Sequence, residues 1–190
     1  MNAPERARLF VALELPPVIR TSLVQWRSEQ LDGIRGLRPV DPEALHVTLC
    51  FLGWQPADEI EAIAAACLRI GAEPRAVLSL DGALWLPALR PRVLAVELED
   101  RGQALSRLQS ALAAALEAGG WYRREQQRFL AHVTVARTGR GTQPRPPRVP
   151  APVPISFLGT SVALYRSHLG AAGARYERLA AVQLSGSTPA

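Results

Sequence analysis

Two short stretches of the chain carry the residue types that acid–base chemistry needs. The first is HVTLCFLG, from His46 to Gly53, and its apolar and β-branched residues followed by glycine predict a strand. Because side chains alternate between the two faces of a strand, His46 and Thr48 share one face. The same tripeptide, His-Val-Thr, returns 86 positions later at His132–Thr134 in AHVTVAR. Two of the chain's three histidines lie in this repeat, and the recurrence points to function rather than to two unrelated packing roles.

Two imidazoles and two hydroxyls in one cleft could act on a phosphodiester. Histidine has the side-chain pKa nearest neutrality, so one imidazole can take a proton while the other gives one. Threonine hydroxyls can donate hydrogen bonds to non-bridging oxygens as charge develops there. Neither stretch contains a carboxylate, and a zinc site would need more ligands than two histidines supply. We therefore expect chemistry that uses no metal and no cofactor.

The composition is that of a globular protein that can bury a core without disulfides. The chain has 190 residues, of which 48% are hydrophobic, and a formal net charge of +5. It contains no lysine, so its basic residues are arginines, which suits phosphate recognition but also follows from a GC-rich genome. Cys50 and Cys67 have no disulfide or metal spacing and are predicted to be small buried hydrophobes, which indicates a reducing compartment. No stretch has the pattern of a signal peptide or a membrane span, so we expect a cytoplasmic protein with no membrane partner.

The hydrophobic patterns predict strands and helices arranged as two similar lobes, each with a motif strand. Residues 138–154 instead contain six prolines and three arginines, Arg140, Arg145 and Arg148, and are predicted to form a loop. Residues 1–184 are expected to form a single bilobal domain, and residues 185–190 a flexible tail. The predicted strands are Arg8–Leu15, His46–Gly53, Ala76–Leu86, Arg92–Leu98, Phe129–Ala136, Ile155–Tyr165 and Ala174–Leu184, and the predicted helices are Val18–Leu31, Ala57–Ile70 and Arg101–Ala118.

The paired His-x-Thr motifs resemble those of the two-histidine (2H) phosphoesterase superfamily. The chain is more closely similar to the RNA 2′,3′-cyclic phosphodiesterases, also called 2′-5′ RNA ligases, and the resemblance covers nearly its full length. The stretches that carry it are RLFVALELPP, VDPEALHVTLCFLG, PRVLAVEL, FLAHVTVAR and LYRSHLGAAGARYERL. The sequence departs from the family near Pro39, at Ala131, where proline is common, and in the proline-rich segment after Arg137.

The resemblance implies an α+β, bilobal fold with two antiparallel sheets facing a central cleft and helices on the outside. It implies hydrolysis of a 2′,3′-cyclic phosphate on an RNA end to a 2′-phosphate, with reverse 2′-5′ ligation to a 5′-hydroxyl. By that analogy His132 is the proton acceptor that activates water and His46 is the proton donor to the 3′ oxygen. Thr48 and Thr134 would bind the phosphate. The two motifs are nearly symmetric, so the residues alone do not separate these roles.

Two further positions follow the same symmetry. Phe51 and Arg137 each lie five residues after a motif histidine, and in the family such residues resemble a pair that sandwiches the terminal base. Aromatic and guanidinium planes both stack on bases. Ideal alternation would place Phe51 on the face opposite His46, so the hypothesis requires the strand to twist or end near Cys50. The competing interpretation is a core phenylalanine and a surface arginine.

The remaining candidates have simpler interpretations. His168 is predicted to be a solvated surface residue, and Ser167 and Tyr176 match the family's C-terminal segment without a chemical role. The four tryptophans lack regular spacing and are predicted to pack against the core. Two other functions stay open: a phosphodiesterase for a small cyclic nucleotide or ADP-ribose cyclic phosphate, and an RNA-binding protein without turnover. We expect a monomer that acts on RNA or oligonucleotide ends.

Overall fold

The computed structural model describes residues 5–32, 34, 36–139, 148–170 and 173–186. These residues form nine strands and three α-helices. The strands are β1 (Arg6–Glu14), β2 (Leu37–Pro39), β3 (His46–Pro56), β4 (Ala76–Leu86), β5 (Val93–Glu99), β6 (His132–Thr138), β7 (Ser156–Gly159), β8 (Ser161–Gly170) and β9 (Gly173–Gln183), and the helices are α1 (Pro17–Leu31), α2 (Ile60–Leu68) and α3 (Ala104–Ala118).

All nine strands belong to one antiparallel sheet in the order β7-β4-β5-β6-β3-β1-β8-β9, with β2 paired to β6. The α+β, bilobal prediction is confirmed, because β7-β4-β5-β6 form one half and β3-β1-β8-β9 form the other. The two predicted sheets are halves of a single hydrogen-bonded sheet. They meet where Val47 of β3 pairs with Val133 of β6.

The two faces of the sheet carry different residues, as β1 illustrates. Leu9, Val11 and Leu13 are fully buried in the core between the sheet and the helices. Successive side chains of a strand point to opposite faces, so Phe10 and Glu14 lie on the other face. That face also carries the motif histidine and threonine of the neighbouring strand β3. Burying one face fixes the strand register, because a slip of one residue would exchange the two faces.

The prediction of one closing strand over Ile155–Tyr165 is wrong. The segment forms two strands that lie in different halves of the sheet: β7 pairs with β4, and β8 pairs with β1. The chain passes between the halves at Gly159 and Thr160. A Cβ atom at Gly159 would approach the Leu13 side chain to 2.9 Å, so glycine allows the chain to cross close to the core.

Several boundaries differ from the sequence prediction in smaller ways. The helix predicted over Ala57–Ile70 is shorter in the structure, because 3-10 turns take the place of its first and last residues on either side of α2. The short strand β2 is not among the predicted strands. Of the proline-rich segment, residues 140–147 lie outside the described part of the chain, and so do residues 187–190 of the expected tail. Ser185 and Gly186, at the start of the expected tail, donate backbone hydrogen bonds to the carbonyls of Gly71 and Glu73.

The cysteines and three of the four tryptophans are located as predicted. Cys50 and Cys67 are buried free thiols, and burial raises the pKa of each to about 12. Trp26 is buried, and Trp85 and Trp121 pack partly buried against the core. Trp54 contradicts the prediction: its side chain is 54% exposed. No helix among the described residues is long and apolar enough to cross a membrane.

A buried arginine of α1 ties β2 to β6. Arg27 is 7% exposed and donates from Nη1 to the carbonyl of Val40, just after β2, and to the carbonyl of Val135 in β6 at 2.9 Å. Burial lowers the pKa of Arg27 from its ordinary value, with a smaller opposing effect of Asp41. The hydrogen bonds to these two carbonyls compensate for the removal of the guanidinium cation from water.

We expect Arg27→Met to lower the free energy of unfolding by about 2–3 kcal/mol, because it removes the charged donor from the Val40 and Val135 carbonyls and leaves Val135 with the Val40 amide alone. Urea denaturation measures this change. The matched control is Arg107→Met on the exposed surface of α3, which should change stability by less than about 0.5 kcal/mol. Equal losses in the two variants would contradict the role assigned to Arg27.

Candidate active site

The two His-Val-Thr motifs lie side by side at the junction of the two halves of the sheet. Val47 and Val133 are the paired central residues of the motifs, and both are fully buried. In an antiparallel pair, moving one residue along one strand moves one residue back on the other. His46 therefore lies across from Thr134, and Thr48 lies across from His132. All four side chains line one small cavity.

The two motif strands also share the same irregularity. In β3, Val11 pairs with Cys50 and Ala12 pairs with Thr48, so Leu49 is an extra residue. In β6, Leu94 pairs with Ala136 and Ala95 pairs with Thr134, so Val135 is extra. Each strand thus has a β-bulge directly after its motif threonine. A bulge shifts the alternation by one residue, so the side chains beyond it change faces.

The bulges place Phe51 and Arg137 on the same face as the histidines. In both strands the burial pattern from the histidine onward is intermediate, buried, intermediate, buried, buried, exposed, and the exposed sixth residues are Phe51 and Arg137. This is the irregularity near Cys50 that the stacking hypothesis required. The interpretation of Phe51 as a core residue is wrong, since its side chain is 43% exposed with the Arg8 guanidinium 4.5 Å from the ring centre.

Phe51 and Arg137 line different cavities beside the motif residues. Because β3 and β6 run in opposite directions, the segments after the two bulges extend in opposite directions. Arg137 lines the small cavity with the two histidines, whereas Phe51 lines a second, larger cavity with Thr48 and His132. The stacking of both side chains on one base stays a prediction.

The two imidazoles are oriented in the same way. His46 Nδ1 lies 2.7 Å from the carbonyl oxygen of Ala44, and His132 Nδ1 lies 2.8 Å from that of Leu130, in each case two residues earlier. A carbonyl only accepts hydrogen bonds, so Nδ1 carries the hydrogen in both rings. Nε2 is then the nitrogen available for proton transfer. In His46 it accepts a hydrogen bond from the Thr48 hydroxyl at 3.1 Å.

An aromatic stack distinguishes His46 from His132. The ring of Phe10 stacks on His46 with centroids 4.9 Å apart and planes 29° apart, and the ring of Tyr165 in turn stacks on Phe10 with centroids 5.2 Å apart. Tyr176 meets His46 edge-on at 5.4 Å. Aromatic faces attract cations, so these rings favour the imidazolium form of His46 once it is protonated. No such ring contact is present for His132 among the described residues.

Glu14 anchors the far side of this stack. It accepts hydrogen bonds from the Tyr165 hydroxyl at 2.7 Å and from the Ser161 hydroxyl at 2.5 Å, and Arg178 lies 3.7 Å away. Burial acts to raise the pKa of Glu14, but these hydrogen bonds and the charges of Arg178 and Arg20 outweigh it, and the pKa is lowered. Glu14 is thus an ionised carboxylate that holds Tyr165, and through it Phe10, in place.

His46 is neutral in the free protein. Desolvation by burial is the main reason that its pKa is lowered to about 4, and the positive charges of Arg137 and His132 act in the same direction. The hydrogen bond to Ala44 opposes this shift only in part. A bound anion at Arg137 and the two histidines would cancel the repulsion and favour protonation of the ring.

Tyr176, which the sequence analysis left without a role, and Phe10, which it did not single out, are both part of the site. Tyr176 lines the small cavity together with Thr134 and Arg137. The signal for Phe10 was its alternation with Glu14 on the polar face of β1. His168 lies on the surface as predicted, with Nε2 2.8 Å from a Glu177 carboxylate oxygen. Within the described residues, no three histidine, cysteine or acidic side chains are grouped to hold a metal ion.

The chain belongs to the 2′-5′ RNA ligase superfamily, whose family model matches residues 15–171. It is 31% identical over 180 residues to the RNA 2′,3′-cyclic phosphodiesterase of Escherichia coli (strain K12), a match that covers 94% of this chain and 96% of that protein. The protein of the same name from Thermus thermophilus is 32% identical over 192 residues, covering 94% of this chain and 91% of that protein.

Solved structures agree with this assignment. The crystal structure of TT0787 of Thermus thermophilus superimposes with a TM-score of 0.82 at 31% identity, covering 94% of this chain and 98% of that one. The structure of Escherichia coli LigT complexed with 3′-AMP gives a TM-score of 0.80 at 29% identity, covering 95% and 99%. The fold class predicted from the motifs is the fold of these proteins.

The lowered pKa of His46 predicts how stability depends on pH. Between the ordinary histidine pKa of about 6.5 and about 4, the unfolded chain binds a proton at this residue and the folded chain does not, so stability falls as the pH falls. We expect His46 to contribute about 2–3 kcal/mol to this loss.

Urea denaturation of the wild type and of His46→Asn at pH 7 and pH 4.5 isolates this contribution. The asparagine amide can still donate to the Ala44 carbonyl, and all carboxylates are common to both proteins. The wild type should lose more stability on acidification than the variant. Parallel pH dependences would show that burial of His46 does not oppose its protonation.

Proposed function

We propose that the protein hydrolyses 2′,3′-cyclic phosphate ends of RNA to 2′-phosphates by acid–base catalysis at His46 and His132. The observation that carries this proposal is the pair of imidazole Nε2 atoms, equally oriented by backbone carbonyls and placed around one cavity with two threonine hydroxyls. Such a site can exchange one proton at each end of a phosphodiester. The names of the curated relatives, all RNA 2′,3′-cyclic phosphodiesterases, support the same substrate.

The reaction balances with the groups present. Nε2 of His132 takes a proton from water, and the water oxygen attacks phosphorus. The bond from phosphorus to the 3′ oxygen breaks, and Nε2 of His46 gives its proton to that oxygen. The product is a 2′-phosphate beside a free 3′-hydroxyl. If the 5′-hydroxyl of a second RNA replaces water, the same transfers form a 2′-5′ bond.

The environment of the site supports binding of an anion before proton transfer. Thr48 and Thr134 can donate to the non-bridging oxygens, and Arg137 adds a positive charge at the same cavity. The phosphodiester charge then offsets the repulsion that keeps His46 neutral. With its proton restored and the Phe10 ring against its face, His46 becomes the imidazolium that the proton donor must be.

The aromatic stack also supports assigning the donor role to His46 rather than to His132. The two histidines match in sequence and backbone geometry but differ in their surroundings, and such differences are what separate an acid from a base. We propose, in addition, that Phe51 stacks on the terminal base. The protein would act as a cytoplasmic monomer of one domain, without a metal or a cofactor.

A short RNA that ends in a 2′,3′-cyclic phosphate, incubated with the protein in EDTA, tests the proposed reaction. We expect the 2′-phosphate as the sole product. His46→Ala and His132→Ala should each lower kcat/KM by about 10³-fold or more, because each removes a proton-transfer group. His168→Ala is the matched control, since His168 is exposed and lies outside the cavity, and it should retain wild-type activity.

A substrate with sulfur in place of the 3′ oxygen tests the division of roles. A thiolate leaves without general-acid help because the pKa of a thiol is about 8.5. With this substrate, His46→Ala should recover most of its lost rate, whereas His132→Ala should stay impaired. Recovery in His132→Ala instead would reverse the assignment, and a 3′-phosphate product from the all-oxygen RNA would reverse the orientation of the substrate.

A further inference from the structure

Two cavities of very different size adjoin the four motif residues. The small one, of about 40 Å³, lies on the Arg137 and Tyr176 side. The large one, of about 920 Å³, opens on the other side, where Thr48 and His132 also form part of its wall. Its remaining walls come from Phe51, the polar side of α3 and residues 121–130. A substrate whose phosphate lies among the histidines has both of these spaces beside it.

The volumes of the two cavities indicate which of them can bind the nucleoside. A water molecule occupies about 30 Å³ in the liquid, so the small cavity accommodates water or a phosphate oxygen but not a ribose with its base. The large cavity is at the upper end of the range of about 300–1,000 Å³ for sites that hold drug-sized molecules. It has room for the terminal nucleoside and for a second nucleotide beyond it.

The lining of the large cavity has the chemistry of a single-stranded RNA site. Phe51 and the 95%-exposed Leu89 offer apolar surface to bases, and Arg128 and Arg124 offer charge to a phosphate. Arg124 also pairs with Glu117 at 3.3 Å, and Glu125 is the one acidic side chain among the lining residues. Gln103 is the only non-glycine residue of the described chain with a positive φ, at 53°. Its side chain does not cap α3, although it stands at the N-cap position, and it lines the cavity instead.

We infer that the part of the large cavity beyond the terminal nucleoside is a subsite for the nucleotide that precedes the cyclic end. Arg128 and Arg124 hold the phosphate that joins the two nucleotides. The inference rests on the proposed function and adds a substrate preference to it. The enzyme selects oligonucleotide ends over cyclic mononucleotides, because a mononucleotide leaves this part of the cavity empty. Arg137 lines the small cavity and is not among the residues assigned to this subsite.

Adenosine 2′,3′-cyclic phosphate and the dinucleotide ApA with the same cyclic end are the test substrates. For the wild type we expect a kcat/KM at least about tenfold higher with the dinucleotide, because the second nucleotide adds a base and a phosphate contact. Arg128→Gln should lower the dinucleotide value about tenfold and change the mononucleotide value less than about twofold. Arg124→Gln should act in the same direction, and Glu125→Gln should raise the dinucleotide value.

Arg69→Gln is the matched control, because Arg69 is exposed, loses the same charge and lines neither cavity. It should leave both values unchanged. Equal kcat/KM for the two substrates in the wild type, or an equal loss on both in Arg128→Gln, would overturn the subsite while leaving the proposed reaction in place. If the protein hydrolyses neither substrate, the proposed function is overturned, and with it the subsite.

Discussion

The pairing of Val47 with Val133 is the contact on which the rest of the site depends. It joins the two halves of the sheet through two fully buried valines. Its antiparallel direction places each histidine across from the threonine of the other motif. A shift of one strand by one residue would turn the histidine of that strand toward the helices and the core and separate it from the other histidine. The buried faces of β1, β3 and β6 therefore hold the reactive groups in register as well as supplying the core.

The features of the site that were predictable are those that repeat at short range. The two motifs share a face because strand periodicity is local, and the equal spacing to Phe51 and Arg137 reflects the same bulge in both strands. The requirement for an irregularity near Cys50 could also be stated from the sequence alone. The bulge itself could not be located, since the Val135 carbonyl accepts hydrogen bonds from the Val40 amide and from Arg27, 108 positions earlier in the chain, and no local pattern predicts these partners.

Features that depend on long-range packing were missed or wrong. Residues 155–165 divide into β7 and β8 because the first part pairs with β4 and the second with β1. The hydrophobic pattern of the sequence is continuous through this division. The contact of Phe10 with His46 joins residues of neighbouring strands. The alternation of Phe10 with Glu14 in RLFVALEL indicates the face of the strand on which Phe10 lies, but it does not identify His46 as its partner. The placement of Phe51 and Arg137 in different cavities follows from the opposite directions of β3 and β6, which the internal symmetry of the motifs conceals.

The hydrogen bonds from both Nδ1 atoms to backbone carbonyls have a consequence for repeated turnover. Each imidazole exchanges protons through Nε2 alone, so one hydrolysis leaves His132 charged and His46 neutral. Since His46 is neutral in the free protein, the proton that His132 has gained is the one that must be lost before the next turnover. His132 borders the large cavity and His46 does not, so the surplus proton leaves through the space that the product vacates. Release of the RNA product and loss of the proton from His132 therefore take place through the same opening.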